Sequence, residues 1–202
     1  DLTPTITAAD DYSNIDEDTS TTINVLLNDS LVANVPVEVQ VEGSDDGFVS
    51  LDGATVTFVP SQDFNGTTIF GYTIFQDVYD GLTSNAQVIV EVNPINDAPQ
   101  ITTPSALEVN ENEKFVVTLE ADDADGDEIA FTKRGGDANE FNLDESSGDL
   151  EFIEAPDYEE SDAFNLITIA SDGTDSSEKN ISISIIDLDD TAPVINPPLE
   201  FI

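Results

Sequence analysis

The chain reads as an all-β protein of two β-sandwich domains in tandem. Three observations predict this. Short runs alternate apolar and polar residues, glycine-bearing turns separate them, and one acidic, proline-ended segment occurs twice.

The alternation has period two, which puts one face of each run in a core and the other in solvent. Val35, Val37, Val39 and Val41 alternate with Pro36, Glu38 and Gln40. Phe115, Val117, Leu119 and Ala121 do the same, as do Ile181, Ile183 and Ile185 with serines between. Further strands are predicted at 21–27, 55–59, 68–75, 86–92, 128–132, 150–153 and 163–170. Asp46-Gly47, Asp52-Gly53, Asn65-Gly66, Asp80-Gly81, Ser147-Gly148 and Asp172-Gly173 are turn pairs. No ten-residue stretch carries a helical stripe. About seven short strands per hundred residues is the spacing of a sandwich.

The repeated segment sets the boundaries. Asn96-Asp97-Ala98-Pro99 returns as Asp189-Asp190-Thr191-Ala192-Pro193, the aligned aspartates lying 190 − 97 = 93 residues apart. Each copy follows a strongly alternating run. The first domain is therefore expected over 1–97 and the second over 98–193, with 194–202 starting a following linker or domain. Pro99 and Pro193 suit stiff, extended linkers. No signal peptide is visible, and the chain reads as a piece of something longer.

Composition narrows the function. Of 202 residues, 44 are Asp or Glu and 4 are Lys or Arg, for a net charge of −40. Self-repulsion at that charge opposes collapse, yet 39% of the chain is hydrophobic. A core can form if cations from the medium offset the carboxylates, and hard oxygen ligands favour Ca²⁺. Nucleic acid and anionic membrane surfaces are excluded as partners, because the chain offers no basic patch. No run approaches 18 apolar residues, so direct membrane insertion by a helix is not expected. Cys and His are both absent, which removes disulfides and the commonest catalytic base and thiol nucleophile. The expectation is a non-enzyme.

The acidic residues cluster in order. The second domain carries Asn110-Glu111-Asn112-Glu113, then Asp123-Ala124-Asp125, then Asp157-Tyr158-Glu159, then Ala170-Ser171-Asp172, and it ends in 187–193. This series resembles the cadherin repeat, with its early Glu followed by DxD, DxE, AxD and DxNDxAP. The first domain is similar to the bacterial cadherin-like tandem repeat, through Ala9-Asp10-Asp11, Asp16-Glu17-Asp18-Thr19, 25–30, Asp63-Phe64-Asn65-Gly66 and Asn96-Asp97-Ala98-Pro99. It departs from the cadherin pattern at Asp63, where a second acid is missing, and at Asn93, where the linker motif opens with Asp.

The resemblance implies Greek-key, immunoglobulin-like sandwiches and a calcium-binding extender or adhesion module of a bacterial cell-surface protein. It implies metal ligands at the junction: Glu17, Asp63, Asn93, Asn96, Asp97, Asp123, Asp125 and Asp172. It implies a second set at the far end: Glu111, Asp157, Glu159, Asp187, Asp189 and Asp190. A third set, at the top of the first domain, would use Asp10, Asp11 and Asp77 or Asp80. Partners would be neighbouring cadherin-like domains of the same chain, with cell-surface or polysaccharide ligands as candidates. The alternative function is a calcium-dependent carbohydrate-binding module of a secreted polysaccharide-active protein, with Tyr12, Tyr79 and Tyr158 as candidate stacking rings. Either role is extracellular.

Overall fold

A computed structural model describes residues 4–78 and 81–189. The chain divides into two compact units, Asp1–Ile95 and Asn96–Ile202. The first is a sandwich of two small sheets, and the second has two such sheets and a further two-stranded pair. No helix among the described residues is long and apolar enough to cross a membrane.

The first unit holds β1 (Asp11–Asp16), β2 (Thr21–Asn24), β3 (Glu38–Val41), β4 (Gly47–Asp52), β5 (Thr55–Pro60), β6 (Gly66–Gln76) and β7 (Leu82–Asn93). One sheet runs β1-β7-β6-β3 and the other β2-β5-β4. β6 and β7 form a long antiparallel hairpin, and β1 adds to β7 in parallel from Asp11↔Val88 to Asp16↔Asn93. Alternation along β5, β6 and β7 turns Val56, Phe58, Phe70, Tyr72, Ile74, Val88, Val90 and Val92 inward, where each is at least nine-tenths buried.

The second unit repeats the plan. β8 (Gln100–Ile101) pairs with β11 (Ala121–Asp122). β12 (Ala130–Arg134), β15 (Ala163–Ser171), β16 (Ser176–Ile186) and β9 (Ala106–Asn110) make one sheet in that order. β10 (Phe115–Thr118), β14 (Asp149–Phe152) and β13 (Phe141–Leu143) make the other. β9 joins β16 in parallel, from Ser182↔Ala106 to Ile186↔Asn110, as β1 joins β7. A 3₁₀ turn, Ala138–Glu140, leads into β13. Phe141, Phe152 and Phe164 stack at centroid distances of 4.5, 5.0 and 6.1 Å, beside Leu150, Leu166, Ile181 and Ile183.

Three expected strands are shorter than their patterns, and the run 21–27 gives only Thr21–Asn24. The alternating valines from Val35 give only Glu38–Val41. Upstream, Asn34 is left-handed at φ 61°, and the Gln76 side chain takes the place of a ladder. It accepts from the Val32 amide at 2.7 Å and donates to the carbonyls of Val32 and Val35. The run from Phe115 to Ala121 is cut after Thr118, where Leu119 N–H bonds the Gly148 carbonyl instead.

Gly148 closes the turn between β13 and β14 at φ 78°, and a Cβ there would lie 2.6 Å from the Leu119 carbonyl oxygen. Gly53, at φ 61°, faces open space. Gly148→Ala should therefore cost at least about 2 kcal/mol, from left-handed strain plus a backbone clash. Gly53→Ala should cost about 1 kcal/mol, from strain alone. Urea titration of the two variants checks the difference.

Candidate functional site

The acidic side chains are placed by the strand ends, and each unit uses a buried glutamate to do it. In the second unit Glu111, 1% exposed, follows β9. Its Oε1 accepts the Leu188 amide at 2.6 Å and its Oε2 the Tyr158 amide at 3.1 Å. Its own amide donates to the Ile186 carbonyl at 3.1 Å. One carboxylate thus ties the segment leaving β16 to the loop holding Asp157 and Glu159. Ligand-type oxygens of Glu111, Asp157 and Glu159 lie within 4.8 Å of one another. Asp157 Oδ1 accepts the Glu159 amide at 3.0 Å, and Asp187 Oδ1 accepts the Asp189 amide at 2.7 Å. These bonds fold each acidic pair into a tight turn. Asp190, expected in this set, lies outside the described residues, as do Asp80 and Tyr79.

In the first unit Glu17, 5% exposed, plays the same part after β1. Its Oε1 accepts the Ile95 amide, and its own amide donates to the Asn93 carbonyl at 3.0 Å. The residue after each glutamate is left-handed, Asp18 at φ 57° and Asn112 at φ 66°. Asp and Asn tolerate that region better than other non-glycine residues. Asp18 Oδ1 accepts the Asp63 amide at 3.3 Å. Asn93 turns its side-chain amide to Asn14 at 2.8 Å and Asp16 at 3.1 Å.

At the start of the second unit the motifs converge. Asn96 Nδ2 donates to Asp172 Oδ2 at 3.0 Å and to Asp175 Oδ2 at 3.1 Å. The Asp97 amide donates to Asp125 Oδ2 at 2.8 Å. Asp123 Oδ1 accepts the amides of Asp125 and Asp127 at 3.0 and 3.1 Å, wrapping the loop around it. Asp123, Asp125 and Asp127 present oxygens within 4.8 Å of one another. Asp123 Oδ2 is enclosed and has no hydrogen-bond partner. The backbone N–H of Asp175, the Asn96 side chain and the backbone N–H of Thr174 hold the Asp172 carboxyl below its ordinary range.

Sequence reasoning missed Asp18, Asp127 and Asp175. Asp127 lay in view in the run Asp123-Ala124-Asp125-Gly126-Asp127, and left-handed Gly126 (φ 77°) lets that run turn back on itself. No sequence signal distinguishes Asp18 from its neighbours.

No basic side chain offsets these groups. All four belong to the second unit. Lys133 and Lys179 bond the carbonyls of Ala138 and Ile101. Lys114 bonds the Ile153 carbonyl and lies 4.0 Å from Glu154, and Arg134 pairs with Glu178 at 2.6 Å. Those are the two ion pairs among the described residues.

A further buried acid lies in the first unit. Asp11, 8% exposed, opens β1. Burial pushes its carboxyl up to about 6; Asp29 and Asp10 add to this, and a hydrogen bond with Tyr72 opposes it. Burial also raises the Tyr72 hydroxyl above its ordinary value, with help from the charges of Asp11 and Asp29. Tyr12 of the first unit is 72% exposed and Tyr158 of the second is 36% exposed.

A family model described as a bacterial Ig domain matches residues 1–92. Mouse protocadherin-15 is 36% identical over 121 residues, which is 55% of this chain and 6% of that protein. The Fat-like cadherin-related tumor suppressor homolog of Drosophila melanogaster is 32% identical over 114 residues, 52% of this chain and 2% of that protein. Among solved structures, mouse cadherin-23 EC22-24 aligns with 88% of this chain and 63% of its own length, at TM-score 0.56 and 21% identity. Human CDH23 EC21-23 aligns with 94% of this chain and 76% of its own, at TM-score 0.56 and 18% identity. Each unit has the fold seen in cadherin-like repeats.

The chain spans about one-seventeenth of the length of protocadherin-15, given the 6% covered. In each repeat a buried glutamate ties the outgoing chain to the end of the first parallel strand.

Glu111→Gln should destabilise the protein by about 1–3 kcal/mol, because one amide N–H then faces an NH₂ group instead of a carboxylate oxygen. Glu160→Gln, at an exposed site, should change stability by less than about 0.5 kcal/mol. Urea titration in the presence of a chelator compares the two without interference from metal.

Proposed function

We propose that the chain is a calcium-binding extender module of a bacterial cell-surface protein, stiffened by the ion, and that it performs no catalysis. The observation that carries this reading is the loop of Asp123, Asp125 and Asp127. Its oxygens are grouped within 4.8 Å, one of them is enclosed and unpartnered, and no basic residue bonds to them. An all-oxygen donor set suits a hard cation taking six to eight ligands at about 2.3–2.6 Å. Support for a bacterial parent comes from the bacterial Ig domain match over 1–92.

In this reading Glu17, Asp63 and Asn93 serve as ligands in the first repeat, with Asp18 added. Asn96, Asp97, Asp123, Asp125 and Asp172 serve at the start of the second, with Asp127 and Asp175 added. Glu111, Asp157, Glu159, Asp187 and Asp189 form the set at its end, and Asp190 is proposed from its motif alone. Bound calcium supplies the positive charge that these carboxylates lack. The protein's own contribution is prior placement. The Asx turns at Asp123, Asp157 and Asp172 fix the donors, so little ordering entropy remains to be lost on binding. Glu17 and Glu111 hold the segment that leaves each repeat close to the acidic loops of that repeat. Calcium held beside each linker would restrain bending, and a series of such repeats would act as an extended stalk. Its partners would be the neighbouring cadherin-like repeats.

Millimolar calcium should raise the melting temperature over that in chelator by on the order of 10 °C. It should also narrow the distribution of distances seen by small-angle scattering. The double variant Asp123→Ala with Asp125→Ala should lose most of both effects while keeping the sandwich circular dichroism signal. Identical melting and scattering curves with and without chelator would contradict the proposal.

A further inference from the structure

The first repeat holds one asparagine whose surroundings favour reaction with its own backbone. Asn65-Gly66 is the single Asn-Gly pair of the chain. It joins the Asp63 loop to β6, and both residues are exposed. The ladder with β7 begins at Gly66↔Val92, so Asn65 lies before the first rung. No hydrogen bond holds the Asn65 side chain among the described residues. Asn28, Asn93 and Asn96 are held, by contrast. Asn28 donates to the carbonyls of Ala9 and Asp10, Asn93 bonds Asn14, and Asn96 bonds Asp172 and Asp175. Asn34 is exposed, but the branched side chain of Val35 crowds the amide that follows it. Gly66 carries no such screen. It sits at φ 124°, and a Cβ built there would meet nothing nearer than the Phe64 ring at 4.0 Å. Glycine's backbone freedom lets its nitrogen turn toward the Asn65 side chain.

We propose that Asn65 is a self-modifying site, converted by its own chain to aspartate and isoaspartate. The Gly66 nitrogen gives its proton to solvent and attacks Asn65 Cγ. The N–Cγ bond forms, the Cγ–Nδ2 bond breaks, and Nδ2 leaves as ammonia after taking up a proton. Water then opens the cyclic imide. Attack at Cγ restores the backbone, with an aspartate at position 65. Attack at the main-chain carbonyl leaves an isoaspartate, whose backbone runs through Cγ and is one carbon longer. Each conversion consumes one water and releases one ammonia, with no oxidant or cofactor. Both products alter the loop. Asp63, left-handed at φ 56°, places its amide on Asp18 Oδ1 at 3.3 Å, and the Phe64 amide bonds the Ser61 carbonyl at 3.1 Å. The isoaspartate lengthens the chain between these bonds and the first rung of β6. The aspartate adds a carboxylate two residues beyond Asp63, the spacing that Asp157 and Glu159 have in the second repeat. The first repeat thereby acquires the second acid that its sequence lacks.

The full chain is incubated in chelator at body temperature, in mildly alkaline and in mildly acidic buffer. Released ammonia is assayed, and peptide mapping by mass spectrometry locates each amide that has become an acid. A free peptide of residues 61–70 serves as the reference. In the folded chain, conversion is expected to concentrate at Asn65 and to run faster in alkali, where the attacking nitrogen loses its proton more readily. Chromatography should resolve the aspartate and isoaspartate forms of that peptide. Asn28, held by its two carbonyl bonds, should convert only when the chain is unfolded in urea. Asn65→Gln should lose most of the ammonia release while melting as the parent does, because its side chain is exposed and bonds nothing. A peptide that converts while the folded chain does not would overturn the proposal, since the loop would then hold the two groups apart. A peptide that stays intact would overturn it too. So would conversion in the folded chain spread equally over Asn28, Asn34 and Asn65, or ammonia release undiminished in Asn65→Gln. None of these outcomes depends on calcium, so the proposed function stands or falls separately.

Discussion

A carboxylate accepting backbone amides at the end of the last strand organises each repeat. Glu111 does this through Leu188 and Tyr158, and Glu17 through Ile95. Both glutamates are almost fully buried, at 1% and 5% exposed. Charged acceptors make the stronger hydrogen bonds, and a buried one that loses its donors is costly. The outgoing chain is therefore tied to the end of the first parallel strand, β1 or β9. The acidic loops gather around that tie. The spacing is nearly the same in both copies, since the tie spans 78 residues in the first and 77 in the second.

This arrangement concentrates negative charge instead of dispersing it. Repulsion within −40 of net charge opposes folding, and grouping aspartates within 4.8 Å makes the local opposition worse. The cores offset it with apolar burial: Val56, Phe58, Ile74, Val88 and Val90 in the first repeat, and Leu150, Phe152, Ile181 and Ile183 in the second, are all within 2% of complete burial. The clusters themselves stay unneutralised by the protein, whose four cations are engaged elsewhere. A fold that tolerates such clusters gains from any oxygen-preferring cation bound to them. Stability and ion binding are then one linked equilibrium.

Much of this was legible in the residues. The long hairpins β6–β7 and β15–β16 were visible because their inward Val, Ile and Phe alternate over many residues. The turn at Gly148 and the left-handed Gly173 were visible as Ser-Gly and Asp-Gly pairs. The ordered acidic motifs singled out Glu111, Asp123, Asp125, Asp157 and Asp172. The strands that escaped notice include β4 and β8 and three others that are short or thinly alternating. β1 is Asp-Tyr-Ser-Asn-Ile-Asp, β9 is Ala-Leu-Glu-Val-Asn, and β13 has three residues. They form because a longer neighbour supplies the ladder, which is tertiary context and not local propensity. Asp29 stood out in the sequence only as part of the stretch 25–30. Only the fold brings it to Tyr72 and Asp11, 43 and 18 residues away. The valine run from Val35 misled in the opposite direction. Its pattern promised a longer strand, and the Gln76 side chain replaced the ladder there.

Whether the grouped carboxylates are ligands is measured most directly by diffraction. Crystals grown in millimolar calcium, with data collected at long wavelength, give an anomalous difference map. Peaks are predicted beside Asp123, Asp125 and Asp127 and beside Glu111, Asp157 and Glu159, each ringed by oxygens at about 2.3–2.6 Å. Carboxylates surrounded only by water, with no anomalous peak at either cluster, would contradict the central claim.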